Sequence, residues 1–220
     1  MPPRKYLPLA LNMDSRSAVV IGGGEPAFFK AVLLVDFGIS TTVLVEPTTD
    51  VDTRIQELAE AEAITLHDRG YNPQDLEGHY LAVVATGDRV TDYRVESDAR
   101  SRGLLVNVVD DPAHCDFFAS AYVRHGPISI AVNSGGASPG FTAALKDDVA
   151  SHYGPEIEEH LSHYLKWRKM VQDLVPTFHE REQIWRDLRA AGLYDLLRAK
   201  GPDAALKLVE SRLDERSSSS

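Results

Sequence analysis

The chain has 220 residues, 43% hydrophobic and 25% charged, a globular balance that excludes pervasive disorder. Acidic residues outnumber basic ones 33 to 23, and the resulting net charge of −10 argues against a general nucleic-acid-binding role, which needs basic surface. A lone cysteine, Cys115, excludes an internal disulfide and any multi-cysteine metal cluster and fits a reducing compartment. No apolar run is long enough to span a bilayer. The start, Met1 to Tyr6, lacks the apolar core and cleavage site of a signal peptide, so a soluble cytoplasmic protein is expected.

Up to about residue 110, short β-branched runs alternate with helical stretches. Strands are expected at Ala18–Ile21, Thr41–Val45, Ile64–Leu66, Leu81–Ala85 and Leu104–Val109, all mostly apolar on both faces. Helices are expected between them at Ala27–Phe37, Val51–Ala63 and Val90–Arg102, with Gly38 at a C-cap. This alternation predicts a doubly wound α/β domain with a Rossmann-like parallel sheet. Phe117–Arg124 and Ile128–Val132, joined by His125-Gly126-Pro127, predict a hairpin. Its open edges suit pairing with a second copy, so a homodimer is expected. Ser138 and Pro139 then fit the N-cap and first position of a helix.

Beyond residue 150 the pattern is helical. Ile157, Leu161, Tyr164, Leu165, Val171, Leu174 and Val175 repeat at helix spacing, and Pro176 ends the run. Thr177 and Glu180 have capping-box spacing ahead of Ile184, Trp185 and Leu188. Gly192 and Gly201-Pro202 punctuate two shorter helices, and Ser217–Ser220 reads as a frayed tail. The expected division is a nucleotide-binding domain over 1–113, a dimerisation segment with a substrate loop over 114–150 and a helical C-terminal domain over 151–220.

The sharpest local signal is Gly22-Gly23-Gly24-Glu25-Pro26-Ala27, a G-x-G-x-x-A turn between an apolar strand and a helix. Gly22 permits the tight turn, Gly24 admits a pyrophosphate, and Ala27 lets helix pack on strand, while the helix N-terminus offers free N–H groups. Glu46, followed by Pro47, ends the second strand, where an acid bonds ribose hydroxyls and favours NAD by repelling a 2′-phosphate. Gly22, Gly24, Glu25, Pro26, Glu46, Pro47 and Thr86 are therefore the candidate cofactor residues. Pro26 removes one donor from the turn, and Thr86 serves equally well as a strand cap. A glycine turn that binds no dinucleotide is the alternative.

The fifth strand runs into Asn107-Val108-Val109-Asp110-Asp111-Pro112. Two adjacent carboxylates repel each other, so one is expected to hold a proton near neutrality; a plain solvated turn is the other possibility. His114 and Cys115 follow, too few ligands for a permanent metal site.

Together with Tyr6-Leu7-Pro8-Leu9, Lys30, Ala85-Thr86, Asp88, Cys115-Asp116-Phe117 and Gly135-Gly136-Ala137-Ser138-Pro139, these blocks make the chain resemble the precorrin-2 dehydrogenase/ferrochelatase family, the N-terminal part of larger siroheme synthases. The resemblance spans nearly the whole length. It implies NAD-dependent oxidation of precorrin-2 to sirohydrochlorin, with insertion of ferrous iron to give siroheme in bifunctional members. It implies Asp110 as the catalytic base, assisting both steps, and Asn107, Ser134, Gly135 and Ser138 as residues lining the tetrapyrrole pocket. It also implies a Rossmann domain, a central dimerisation segment and a helical C-terminal domain. No permanent metal ligand is expected, with Asp110 and His114 as transient candidates.

The chain departs from the family pattern at Pro26, at Phe29, where an arginine is usual, and at Gly87 and Asp92. It stops where a fused methyltransferase domain begins in the larger enzymes, so methylation is not expected of it. Precorrin-2 is rich in carboxylates, and a chain of charge −10 offers it no long-range steering. Local donors are needed: the 135–139 loop opening a helix, with Arg124, His125 and Lys146 as candidates nearby in sequence, each of which also reads as a solvated surface charge. A dehydrogenase without chelatase activity, or a nucleotide- or tetrapyrrole-binding module without turnover, are the competing readings.

Overall fold

The computed structural model describes residues 6–47, 50–135 and 137–217; of the motifs above, Gly136 and the last three serines lie outside them. The chain divides into two compact units, the first holding residues up to Ala119 plus 134–137, the second Ser120–Asn133 and the chain from Ser138.

The first unit alternates strand and helix: β1 (Ser17–Ile21), α1 (Glu25–Asp36), β2 (Ser40–Val45), α2 (Thr53–Glu60), β3 (Thr65–Asp68), β4 (Leu81–Val84), α3 (Arg89–Ser101) and β5 (Leu105–Val108). All five strands are parallel, in the order β3-β2-β1-β4-β5. Side chains alternate across the sheet with period two. Ala18, Val20, Val43 and Val45 face Ala27, Ala31 and Leu34 of α1 and Ile55 of α2. Val19, Ile21, Leu44, Val84, Val106 and Val108 face Val95 and Ala99 of α3. Helices thus cover both faces, and the strand order reverses between β1 and β4.

The three helices end alike. Gly38, Glu62 and Gly103 take positive φ and donate to Val35, Ala59 and Arg100, while the next residues, Ile39, Ala63 and Leu104, donate to Leu34, Leu58 and Ala99. This Schellman pattern satisfies carbonyls that the helix leaves open and turns the chain toward the next strand. The expected buried third strand is corrected: β3 is an edge with one neighbour, and Thr65, His67 and Asp68 are exposed.

The second unit opens with an antiparallel hairpin, β6 (Ala121–His125) and β7 (Ile128–Val132), turned at Gly126 with φ +53°. Its first strand starts four residues later than expected. α4 (Pro139–His152), α5 (Glu156–Leu174), α6 (Phe178–Ala190), α7 (Leu193–Lys200) and α8 (Pro202–Ser217) follow. α8 has 16 residues, longer than the short helix expected after Gly201. The core of these helices is Trp167, Val171, Val175, Ile184, Leu188, Leu193, Leu197, Ala205, Val209 and Leu213. Leu165 and Leu174, expected inside, are 54% and 59% exposed because they lie off the stripe running through Ile157, Tyr164, Trp167 and Val171. No described helix is long and apolar enough to cross a membrane.

Leu188 is fully buried, and both tryptophans of the chain, Trp167 and Trp185, lie in this unit. Leu188→Ala is expected to cost about 2–5 kcal/mol through lost transfer energy and the cavity left behind, read as a lower urea midpoint of tryptophan fluorescence. An unchanged midpoint would contradict this core.

Candidate functional site

The carboxyl ends of the central strands define one edge. Ile21 is level with Val84, and Val84 with Val108. The ladder runs one residue further, because Ala85 N–H donates to Ile21 O (2.7 Å) and Val109 N–H to Val84 O (2.8 Å). Gly22, Ala85 and Val109 therefore stand at one level, and the glycine turn, the Thr86–Asp88 loop and the Asp110 turn all leave from it. Two strand spacings, about 10 Å, separate the first from the last. The glycine turn and the Thr86 loop flank the point where strand order reverses, the place where open α/β sheets bind ligands.

Gly22 has φ +134°, and a Cβ there would overlap the Ala85 carbonyl; only glycine fits. Above Gly24 the space is open, the nearest contact of an added Cβ being Pro26 Cδ at 3.6 Å. Gly24 is the N-cap of α1 in extended conformation, without a side-chain cap. Among the described residues the N–H groups of Gly24, Glu25 and Ala27 find no acceptor, and Pro26 has none to offer. This open, donor-lined turn at a helix N-terminus fits the diphosphate of a dinucleotide. Ala27 is fully buried, as close helix–strand packing requires.

The other cofactor candidates differ in how far they are already engaged. Glu46 and Pro47 are exposed just past β2, and the Glu46 carboxylate leans against Gly70, on the β3 side. Thr86 donates its hydroxyl to Asp92 Oδ1 (2.6 Å), donates its N–H to the same oxygen (3.3 Å) and accepts from Asp88 N–H (3.1 Å). Its proton is thus spent inside the loop. Asp92 is only 2% exposed and is further compensated by Arg89 at 3.6 Å.

The two aspartates that the sequence left equivalent are distinct. Asp111 accepts from Tyr93 Oη (2.9 Å) and Ala113 N–H (3.2 Å) and caps the short 3-10 turn Pro112–His114. The Tyr93 hydroxyl holds the Asp111 carboxyl below the ordinary carboxylate range, so the proton expected on this pair does not sit on Asp111. Asp110 is exposed, takes a left-handed φ of +59°, and its carboxylate makes no hydrogen bond among the described residues. Arg89 holds the backbone beneath it, donating to Val109 O (3.3 Å) and Asp110 O (3.2 Å).

One face of α3 builds this turn. Arg89, Tyr93, Glu96 and Arg100 recur at helix spacing. Tyr93 stacks on His114 (4.5 Å), whose Nδ1 pairs with Glu96 (2.7 Å); Arg100 bridges Glu96 (3.0 Å) and Asp116 (3.1 Å). His114, a transient metal candidate, thus has one ring nitrogen engaged. Sequence reasoning missed this stripe, although its spacing was visible.

Asn107 is 4% exposed; its amide donates to Phe117 O (2.9 Å) and Cys115 Sγ (3.4 Å), while its buried Oδ1 has no partner among the described residues. Burial pushes the Cys115 thiol up, away from reactivity. Lys30 of α1 is half-buried; desolvation pulls its ammonium down, while Cys115 and Asp110 hold it up. Ser134 accepts from Ala137 N–H, and Gly135 (φ +65°) lies against the Tyr6 ring, which meets Phe118 edge-on at 5.1 Å. Among the described residues no group of three or more His, Cys, Asp or Glu converges as a metal site.

In the second unit, Ser138 caps α4 by accepting from Phe141 N–H. The basic candidates are engaged locally: Arg124 with Gly126 O, His125 with Tyr153 O and Lys146 with Asp147.

Because Asp111 is held charged, its contribution to stability is complete above its unfolded value near pH 4 and is lost as pH falls through the lower folded value. Tyr93→Phe removes the donor. The stability gap between variant and parent is expected to be present at pH 6 and to close in the acid limb of a pH series of urea midpoints. A gap independent of pH would contradict this pairing.

The NAD(P)-binding family model matches residues 9–121, just over half of the chain. The siroheme synthase of Ectopseudomonas mendocina (strain ymp) is 32% identical over 209 residues, covering 95% of this chain and 44% of the relative. That of Pseudomonas paraeruginosa (strain DSM 24068 / PA7) is 34% identical over 212 residues, covering 94% and 44%. The chain thus spans less than half the length of these curated relatives. The solved structure of SirC, precorrin-2 dehydrogenase, shares the fold with TM-score 0.69 at 22% identity, over 94% of this chain and 100% of that one. The glycine turn falls inside the matched region, and the chain belongs to the NAD(P)-binding family.

Proposed function

We propose that the chain oxidises precorrin-2 to sirohydrochlorin with NAD. The observation that carries this is Asp110: a carboxylate that makes no hydrogen bond among the described residues, two strands from the glycine turn on the same sheet edge. The relatives' names, siroheme synthase and precorrin-2 dehydrogenase, supply the substrate class. Bound NAD supplies the hydride acceptor. As a ring carbon of the substrate loses its hydride, a proton must also leave the macrocycle, and Asp110 is free to take it. Asp111 cannot exchange roles with it, being committed to Tyr93 and Ala113.

Glu46 is the ribose-side acid in this scheme and sets the preference for NAD. Asn107, Ser134 and Gly135 are the tetrapyrrole-side residues of the first unit; for Asn107 the support is its buried, unpartnered Oδ1. Ferrous iron insertion is the second step that we assign to the chain. It needs a group to accept pyrrole N–H protons, and a carboxylate that makes no hydrogen bond among the described residues suits that as well. Ser138 belongs to the proposal through the resemblance, its hydroxyl being already engaged as an N-cap.

The hairpin and α4 carry the proposed self-association. α4 exposes Phe141 (66%) and Leu145 (39%) one turn apart, and the two-stranded sheet has open edges. Light scattering is expected to give about twice the 24.2 kDa chain mass, and a Phe141→Glu/Leu145→Glu variant the single mass. A monomeric parent would contradict the pairing.

Anaerobic precorrin-2 mixed with the protein and NAD is expected to yield NADH and the sirohydrochlorin spectrum. Asp110→Ala should lower turnover by about a hundredfold or more while leaving NADH binding intact. Unchanged turnover would remove Asp110 from the chemistry, and no NADH from the parent would remove the dehydrogenase. Ferrous ion added to sirohydrochlorin tests chelation separately: siroheme formation no faster than without protein would remove that step.

A further inference from the structure

We propose that Arg54 is a phosphate-binding residue for the dinucleotide, its unengaged amino group taking an oxygen of the diphosphate beside the glycine turn. This rests on the dinucleotide half of the proposed function and not on the tetrapyrrole half.

Between Gly22 and Arg54 the sequence holds five acidic residues and two cations, Lys30 and Arg54. Lys30 is within electrostatic reach of Cys115 and Asp110. Arg54 is the cation at the mouth of the glycine turn. Asp52, the N-cap of α2, ties that helix to the turn, donating its N–H to Gly23 O (2.8 Å). Arg54 lies two residues on, and its Nη2 reaches Glu25 Oε1 at 3.3 Å, on the first residue of α1. The N–H groups that lack acceptors belong to this same segment, Gly24 to Ala27.

The guanidinium is held in place before any ligand arrives. Asp52 engages it as a fork, Nε to Oδ1 at 2.9 Å and Nη2 to Oδ2 at 2.6 Å. The Phe28 ring lies under it at 4.1 Å, with Phe29 at 5.4 Å. Nη1 makes no hydrogen bond among the described residues. A planar cation fixed on one side with donors left on the other is the geometry that serves phosphate recognition. The Glu25 contact is solvent-exposed (67% on the Glu side) and is worth little, so a diphosphate displaces it cheaply. Phe29, where the resembled family carries an arginine, is instead the ledge over which Arg54 extends from the neighbouring helix.

The test is equilibrium binding of NAD, NADP and ADP-ribose to the full chain by calorimetry, with thermal midpoints recorded for every variant. Arg54→Ala is expected to weaken all three by roughly tenfold or more with little change in midpoint, because each carries the diphosphate. Adding Phe29→Arg to Arg54→Ala is expected to recover most of the loss, returning a guanidinium to the same place from the other helix. Affinity for NAD unchanged in Arg54→Ala would overturn the proposal alone. So would a loss confined to NADP, which would put the contact on the 2′-phosphate. Failure of the parent chain to bind any of the three would overturn this proposal together with the dinucleotide assignment.

Discussion

The site depends on a close approach. Gly22 passes directly over the Ala85 carbonyl at the end of β4, in a backbone conformation with φ +134°, and no side chain fits between them. That contact locks the turn after β1 to the loop after β4 across the one position where strand order reverses. The ladder bonds from Ala85 to Ile21 and from Val109 to Val84 bring Gly22, Ala85 and Val109 to a common level. The N–H groups at the start of α1 and the Asp110 turn then leave from one edge, with the Thr86 loop between them. Widening this approach by one Cβ would shift both halves of the proposed chemistry.

A second constraint acts on the acidic turn. Asp110 holds a left-handed conformation that costs a non-glycine residue something, though aspartate tolerates it better than most. The surroundings over-determine it: Arg89 grips the carbonyls of 109 and 110, and Tyr93 and the Ala113 N–H grip Asp111. Strain maintained next to a carboxylate that makes no hydrogen bond among the described residues fits the proposed chemistry better than a packing role. Asp111 serves the scaffold and Asp110 stays available; adjacent, identical side chains have been given opposite tasks.

Much of this was legible in the residues. The strands β1, β2, β4 and β5 stood out because both of their faces are covered, which makes them apolar throughout. The glycine turn was readable because Gly22 and Gly24 answer to backbone geometry, and Ser138-Pro139 because caps are local. What escaped depends on which residues meet in space. β3 is an edge, so its exposure follows from strand order, which no local pattern reveals. Asp110 and Asp111 are told apart by Tyr93, seventeen and eighteen residues earlier, and Thr86 is drawn inward by Asp92. Leu165 and Leu174 are apolar at helix spacing but lie off the stripe that Trp167 leads, so spacing alone overstates their burial. Arg54 escaped because its role comes from two helices meeting, not from any motif.

In the proposed chemistry one sheet edge presents a dinucleotide and Asp110 to the same substrate. A crystal structure of the chain with NAD bound tests this most directly. The diphosphate is expected on the N–H groups of Gly24 and Glu25, the adenosine on the Glu46 side, and the nicotinamide over β4 and β5 with the Asp110 carboxylate opening into the same space. A nicotinamide directed toward β2 and β3, with Asp110 facing bulk solvent on the far side, would contradict it.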